Sequence, residues 1–209
     1  MTGDEHSLDG AYALETPEDS VKLYKGWAET YDTDFAQTHG YVVPQRVAQI
    51  FRQEGGQGPV LDIGAGTGLV AEALGDIETD GIDISQEMLD VAGGKGLYRN
   101  RIRADLTRPL DIGDDSYAGF TSAGTFTHGH VGPVCLPELM RIAQSGALFV
   151  LTINAQVFDE AGFGSAFATL VANGAITPIR FHHVRYYEGA EHEHSDDMGL
   201  VAVFRRSRP

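Results

Sequence analysis

Apolar and polar positions alternate in two different periods from residue 59 to the end of the chain. Short apolar runs typical of buried strands lie at 59–63, 79–84, 97–104, 117–123 and 147–153. Segments with the spacing of helices lie between them, at 69–74, 86–92, 136–143 and 158–172. Strands that alternate with helices in this way predict a parallel sheet covered by helices on both faces.

Two β-rich runs close the sequence, at 179–187 and 200–205, and an acidic loop without a helical pattern joins them. Parallel neighbours need a long crossover, so these two runs are expected to pair antiparallel at the end of the sheet. The whole pattern predicts a doubly wound, mainly parallel seven-stranded α/β sheet with an antiparallel C-terminal strand, a Rossmann-like architecture.

The N-terminal part has helical signals instead. Thr16 is a suitable N-cap and Pro17 suits a first helical position, with Val21, Tyr24 and Trp27 on one apolar face. A second helix is expected after Pro44, ending at 55–56, whereas residues 1–15 show no clear periodicity. We expect one domain over 1–209, in which a helical lid segment, 16–55, covers a core formed by 56–209.

Charge and composition exclude several classes of protein. The net charge is −15, and Lys and Arg are outnumbered two to one, which disfavours nucleic acid as a main partner. The longest apolar run, Ala147–Ile153, is far shorter than the ~20 residues that span a bilayer. The start of the sequence is acidic and polar, and Cys135 is the only cysteine. Together these features predict a cytoplasmic protein with no internal disulfide.

The strongest chemical signal is a glycine-rich loop between a predicted strand and a predicted helix, Val60–Gly68, with sequence VLDIGAGTG. Glycines at 64, 66 and 68 allow the backbone to turn sharply and to lie against a ligand. The next strand ends at Asp83, where a carboxylate can accept both hydroxyls of a ribose. This arrangement predicts a nucleoside site at the carboxyl ends of the strands.

The spacing of the glycines distinguishes between nucleosides. A dinucleotide fingerprint, Gly-x-Gly-x-x-Gly, would need glycine at Leu69, and Asp62 is unusual for a nicotinamide site. No Gly-Lys-Ser/Thr follows, so a P-loop is excluded. A nicotinamide oxidoreductase is therefore the weaker hypothesis.

The loop resembles motif I of class I S-adenosylmethionine (SAM)-dependent methyltransferases, and the resemblance extends over about residues 20–205. The segment 27–32, WAETYD, resembles the Tyr-Asp motif of the subgroup that includes the ubiquinone-biosynthesis methyltransferases. The segment 124–131, GTFTHGHV, is similar to the Williams–Beuren-region methyltransferase-like proteins. The resemblance implies SAM as the cofactor and the fold described above.

It also implies positions that contact the cofactor. The methionine part would lie along the glycine loop and beside the end of the fourth strand, at Gly64, Ala65, Gly66, Ser122 and Ala123. Asp83 would bind the ribose, and the adenine would be bound by Ile84, Met88, Asp105 and Leu106. The sulfonium would be faced by Tyr31, with Tyr24 and Trp27. Simpler roles remain open at several of these positions. Ile84 and Met88 suit a core, Asp105 suits a turn cap, and Tyr24 and Trp27 suit helix packing.

Methyl transfer is an in-line displacement, in which a protein mainly aligns two molecules and excludes water. A base helps where the acceptor must lose a proton, and His128 and His130, just after the fourth strand, are the candidates. We expect a small-molecule acceptor and no metal site. The alternative hypothesis is a non-catalytic scaffold that binds SAM or S-adenosylhomocysteine (SAH) without turnover.

Overall fold

The computed structural model describes residues 26–28, 30–128, 130–189 and 196–207. Their strands form one seven-stranded sheet, in the order β3-β2-β1-β4-β5-β7-β6. The strands are β1 (Val60–Ile63), β2 (Thr79–Asp83), β3 (Arg101–Arg103), β4 (Tyr117–Phe126), β5 (Ala143–Asn154), β6 (Arg180–Arg185) and β7 (Met198–Arg205).

Pairing within the sheet follows the predicted fold class. The strands β1 to β5 pair in parallel, whereas β7 pairs antiparallel with both β5 and β6. The chain runs outward from β1 through β2 to β3 and then returns to β4 on the other side of β1. The strand order therefore reverses between β1 and β4, which opens a crevice at their carboxyl ends. The predicted doubly wound sheet with an antiparallel C-terminal strand is confirmed.

The described helices are α1 (Val43–Gln53), α2 (Leu69–Leu74), α3 (Gln86–Lys95), α4 (Leu136–Ile142) and α5 (Phe163–Ala172), with a π-helical segment at Tyr31–Gln37. Pro44 lies in the first turn of α1, where its missing N–H costs nothing. Ser85 caps α3 by accepting a hydrogen bond from the Met88 amide at 3.3 Å. None of the helices formed by the described residues is long and apolar enough to cross a membrane.

Aromatic side chains hold the layers together. On one face of the sheet, Phe149 stacks between Phe120 and Phe204, with ring centroids 4.2 and 4.8 Å apart. On α1, the buried ring of Phe51 fills the space that a side chain at Gly119 of β4 would need, since a Cβ there would lie 2.5 Å from the ring. This close packing fixes the end of α1 against the start of β4.

Several predicted boundaries were wrong for identifiable reasons. The strand predicted at 97–104 is only Arg101–Arg103, because Arg99 and Asn100 bend around the buried carboxylate of Asp80 and donate to it. The helix predicted from 158 begins at Phe163, after a series of turns. The helix predicted from Thr16 lies outside the described residues, apart from its end near Trp27.

Candidate functional site

A cleft opens at the carboxyl ends of β1, β2 and β4, where the strand order reverses. Its empty space, including the open mouth, is about 970 Å³. Eleven of the predicted site residues line it: Tyr31, Gly64, Ala65, Gly66, Asp83, Ile84, Met88, Asp105, Leu106, Ala123 and His130. The sheet topology therefore brings most of the candidate residues to one place.

The glycine loop forms the floor of this cleft. Gly64, Gly66 and Gly68 all have positive φ angles, of +64°, +52° and +94°. A Cβ at Gly64 would lie only 2.0 Å from the Thr125 hydroxyl oxygen, so no side chain fits there. The Ala65 amide donates to the carbonyl of Ile82 at 3.0 Å, which ties the loop to β2. The loop consequently presents bare backbone to the cleft, as a closely bound ligand requires.

Asp83 ends β2 and joins the loop to α3. Its two carboxylate oxygens accept hydrogen bonds from the amides of Gly66 and Ser85, each at 2.8 Å. Burial raises the pKa of this carboxyl, although its backbone hydrogen bonds act in the opposite direction. A carboxylate has about four lone-pair sites, so Asp83 retains acceptor capacity for hydroxyl groups in the cleft.

A second buried carboxylate, Asp62, lies in β1 beneath the loop. It accepts hydrogen bonds from the hydroxyls of Tyr98 at 2.6 Å and Thr121 at 3.0 Å. Burial raises its pKa to about 7, against the opposing effect of these two hydrogen bonds, and the negative charge of Asp83 adds to the rise. The Tyr98 ring packs against Gly81, where a Cβ would lie 2.8 Å from it.

We expect Asp62 to make the protein less stable as pH rises. Its carboxyl binds a proton more tightly in the folded state, so the contribution is fully present below the unfolded pKa of ~4 and is lost by about pH 7. The unfolding free energy, measured by urea unfolding, should decrease between pH 5 and 8, and in Asp62→Asn this decrease should be smaller by about 1 kcal/mol or more. An unchanged slope in the variant would show that this carboxyl does not titrate there.

The far end of the cleft carries the residues predicted to bind adenine. Ile84, Met88 and Leu106 line it, and Met88 and Leu106 are buried. One oxygen of Asp105 accepts from both the amide and the hydroxyl of Thr107, at 2.8 and 2.7 Å. Asp105 thus caps a turn, the alternative role that its sequence position left open, and it also lines the cleft.

The segment before α1 forms another wall. The ring of Tyr31 lines the cleft and stacks on Phe35, with centroids 4.9 Å apart. Trp27 is 2% exposed and meets both rings edge-on, so it lies behind the wall and outside the cleft lining. Tyr24 lies outside the described residues.

Asp32 connects this wall to the floor. One of its carboxylate oxygens accepts a hydrogen bond from the Thr67 hydroxyl of the glycine loop at 2.5 Å, and the other pairs with Lys95 at the end of α3. We call Asp32, Thr67 and Lys95 the polar bridge. The bridge links three elements that surround the cleft, so it restrains the segment against the loop.

Loss of the bridge should speed the release of a nucleoside from the cleft. Both charged side chains are about one quarter exposed, and such pairs contribute roughly 0.2–1 kcal/mol. Asp32→Asn is therefore expected to raise the SAH dissociation rate about twofold to fivefold in stopped-flow experiments. Arg46→Met, which breaks the exposed Arg46–Glu188 pair away from the cleft lining, is the control. Equal rates in both variants would argue against a role for the bridge.

Of the two histidines, His130 lines the cleft and His128 does not. The Nδ1 of His130 lies 2.6 Å from the His128 carbonyl oxygen. A carbonyl can only accept, so Nδ1 carries the hydrogen and Nε2 is the basic nitrogen of the neutral ring. Burial lowers the pKa of His130, which favours this neutral form.

Ser122 is also placed away from the cleft lining. Its hydroxyl is buried and donates to the carbonyl of Ile63 at 3.0 Å, so it joins the ends of β4 and β1. His182 and His183 lie next to each other on the edge strand β6, and His192 and His194 lie outside the described residues. Within the described ranges no cluster of three or more metal-binding side chains is found.

Sequence reasoning missed nine lining residues: Tyr41, Pro44, Thr67, Leu69, Val70, Ala104, Gly124, Thr125 and Val131. Thr67, Leu69 and Val70 lie within or directly after the glycine loop, so the motif could have predicted that they line the cleft. Gly124 and Thr125 reach the cleft because the pairing of β4 with β5 is irregular between Ser122 and Phe126. That irregularity has no clear signal in the sequence.

Comparison with known protein families is consistent with this geometry. Residues 61–151, which include the glycine loop, Asp83 and most of β5, match the family described as a methyltransferase domain. A comparison with curated proteins finds no significant match.

Solved structures share the fold at low sequence identity. The methyltransferase in a complex with the Trm112 methyltransferase activator of Haloferax volcanii superposes with a TM-score of 0.68 at 17% identity, covering 90% of this chain and 98% of that one. An S-adenosyl-L-methionine-dependent methyltransferase of Methanococcus maripaludis gives 0.62 at 18%, covering 90% and 94%. The [4+2]-cyclase SpnF gives 0.66 at 15%, covering 93% and 97%.

These comparisons bear on fold and cofactor in different ways. The similarity to solved structures shows the fold alone, and a cyclase among them shows that the fold does not fix the reaction. The family match covers the strands and the loop that form the floor of the cleft. Residues 61–151 are therefore similar to a methyltransferase domain, and they lie within a sheet that has a Rossmann-like fold.

Proposed function

We propose that this chain is a SAM-dependent methyltransferase that acts on a small-molecule acceptor. The observation that carries the proposal is the bare glycine backbone at the floor of the cleft, held by the buried carboxylate of Asp83. A glycine turn that served only packing would not need to open into a cleft at the carboxyl ends of the strands.

The lining residues fit the cofactor in an extended pose. Gly64, Ala65 and Gly66 would contact the methionine part, and Ala123 would lie beside it. Asp83 would accept the ribose hydroxyls, and Ile84, Met88, Asp105 and Leu106 would surround the adenine. Tyr31 would present its ring to the sulfonium, an attraction worth roughly 0.5–2 kcal/mol, while Trp27 supports Tyr31 and Ser122 supports the strand ends.

The N-terminal segment, 16–55, would act as a lid on the core formed by 56–209. Tyr31, Tyr41 and Pro44 come from this segment, and all three line the cleft. The polar bridge and the aromatic contacts of Phe35 hold it closed. A closed wall of this kind excludes water and aligns two bound molecules, which is most of what methyl transfer requires.

His130 would remove the acceptor's proton. When bound, SAM supplies a methyl carbon already activated by its positive sulfur, which keeps the electron pair of the broken carbon–sulfur bond. Nε2 of His130 would take the proton that the acceptor loses. The catalytic role of His128 that the sequence suggested would be indirect, since its carbonyl fixes the tautomer of His130. The subgroup resemblance of 124–131 remains a prediction.

The test is transfer of a labelled methyl group. Incubation with methyl-labelled SAM and a library of small acceptors should give labelled product and SAH in equal amounts. Tight binding of SAM without labelled product from any acceptor would favour the non-catalytic scaffold. Binding of NAD in preference to SAM would favour the oxidoreductase.

A further inference from the structure

The turn before β3 places a tyrosine hydroxyl beneath the glycine loop. The hydroxyl oxygen of Tyr98 lies 2.6 Å from the Oδ2 atom of Asp62 and 3.3 Å from the carbonyl oxygen of Ala65. Its ring packs between the loop and β2, since a Cβ at Gly68 would lie 3.4 Å from the ring and a Cβ at Gly81 would lie 2.8 Å from it. Tyr98 therefore contacts both the loop and the strand that leads into it, and it does not line the cleft.

The carbonyl that Tyr98 approaches belongs to a peptide unit with a second anchor. The peptide bond between residues 65 and 66 is planar, and its N–H, from Gly66, donates to a carboxylate oxygen of Asp83 at 2.8 Å. A donor on the carbonyl of a peptide polarises the unit, which strengthens the hydrogen bond made by its N–H. Through one rigid unit, Tyr98 thus acts on the carboxylate proposed to bind the ribose.

The Tyr98 hydroxyl has one hydrogen, so it cannot donate fully to both of its neighbours at once. While Asp62 is ionised, its charged and closer oxygen takes this hydrogen. Once Asp62 carries a proton on Oδ2, its own O–H donates to the Tyr98 oxygen, and the tyrosine hydrogen is released to the Ala65 carbonyl. The protonation state of Asp62 therefore decides whether the loop peptide is held from below.

The surroundings of Asp62 favour titration near neutral pH. The side chain is buried, and the described residues give it two hydroxyl partners, Tyr98 and Thr121 of β4, and no cation. The other titratable group that acts on it is the carboxylate of Asp83 at the end of β2. Burial raises the pKa of Asp62 to about 7, and the like charge of Asp83 adds to the rise.

We propose that Tyr98 is a positioning residue that passes the protonation state of Asp62 to the glycine loop, so that a nucleoside binds more tightly when Asp62 is neutral. The proposal rests on the SAM-binding function proposed above. Because the favoured state carries a proton, the affinity is greatest at acidic pH and falls as pH rises through the pKa of Asp62, near 7.

Binding of SAH to the full chain at pH 6 and pH 8.5 tests this coupling, since SAH has no sulfonium charge. Calorimetric titration should give an affinity about twofold to tenfold lower at pH 8.5, as expected for one hydrogen bond between neutral groups. Asp62→Asn is neutral at both pH values and keeps a donor beside the Tyr98 oxygen, so its affinity should stay at the pH 6 value of the unchanged protein. Tyr98→Phe lacks the hydroxyl, so its affinity should stay near the pH 8.5 value.

Tyr117→Phe is the matched control. Tyr117 also donates to a buried carboxylate, that of Asp80 at 2.8 Å, but this pair lies at the start of β4 and β2, away from the cleft lining. Arg99 pairs with Asp80 at 2.7 Å, so this carboxylate already has a cation. Removal of the Tyr117 hydroxyl should therefore leave the SAH affinity and its pH dependence as they are in the unchanged protein.

The opposite results expected for the two substitutions separate positioning from a merely structural role. Weaker SAH binding in Asp62→Asn than in the unchanged protein at pH 6 would overturn the proposal, as would a pH dependence that Tyr98→Phe retains in full. Equal affinity of the unchanged protein at both pH values would overturn it as well, and this measurement needs no variant to fold. Failure of SAH to bind the unchanged protein at either pH would instead overturn the proposed function.

Discussion

Replacement of Asp83 by alanine is expected to lower the affinity for SAM by about 100-fold or more. The variant loses the acceptor proposed for the ribose hydroxyls, and it leaves the amides of Gly66 and Ser85 without their carboxylate. A hydrogen bond to a charged group contributes about 1.5–3 kcal/mol, and tenfold in affinity corresponds to about 1.4 kcal/mol, so the loss of two such bonds to the ribose corresponds to about 100-fold or more. Calorimetric titration with SAM measures the change.

A matched variant separates binding from general disruption. Asp90 lies on α3 and does not line the cleft, so Asp90→Ala should leave SAM affinity unchanged. Unfolding midpoints for both variants would show whether the fold persists. If folded Asp83→Ala bound SAM as well as the unchanged protein, the proposed anchoring through the sugar would be wrong.

The second large effect is expected at His130. A general base typically contributes a factor of about 10² to 10⁴ in rate, so His130→Gln should lower turnover of an acceptor found in the labelled-methyl assay by that order while SAM affinity stays the same. Burial lowers the pKa of His130, so the imidazole of the unchanged protein should protonate only below its usual range near 6.5. Activity should therefore fall as pH drops below that range.

Initial rates at several pH values, with labelled product counted, test this directly. The glutamine variant should lose the acid-side dependence as well as the rate. His183→Gln, an exposed position on β6 away from the cleft lining, is the control. Unchanged turnover in His130→Gln would remove the base from the mechanism.

The sequence was most informative where local pattern and fold agree. The alternation of apolar runs with helical segments predicted the parallel strands, because buried parallel strands need continuous apolar residues and crossovers need helices. The missing helix between the last two runs predicted that the C-terminal strand pairs antiparallel. The glycine loop and Asp83 could be placed in one crevice because the carboxyl ends of parallel strands meet at one edge. The hydrogen bond from the Gly66 amide to the Asp83 carboxylate shows that the loop and the end of β2 meet at this edge.

Contacts distant in sequence could not be predicted in the same way. Tyr41 reaches the cleft because a backbone bridge to Tyr187 positions it, and no pattern near Tyr41 signals that partner. Asp32 is part of the Tyr-Asp resemblance, but its bonds to Thr67 and Lys95 depend on how the segment folds back over the loop. The methyltransferase resemblance implied cofactor contacts for Ser122 and Trp27, with helix packing as the alternative for Trp27. Their side chains instead pack behind the wall and between strand ends.

Titration of the unmodified protein with SAM most directly tests the central claim that the glycine floor and Asp83 form a SAM site. Saturable heat with one nucleoside bound per chain, competition by SAH, and no comparable signal from NAD are expected. Properly folded protein that gives no heat with SAM would contradict it.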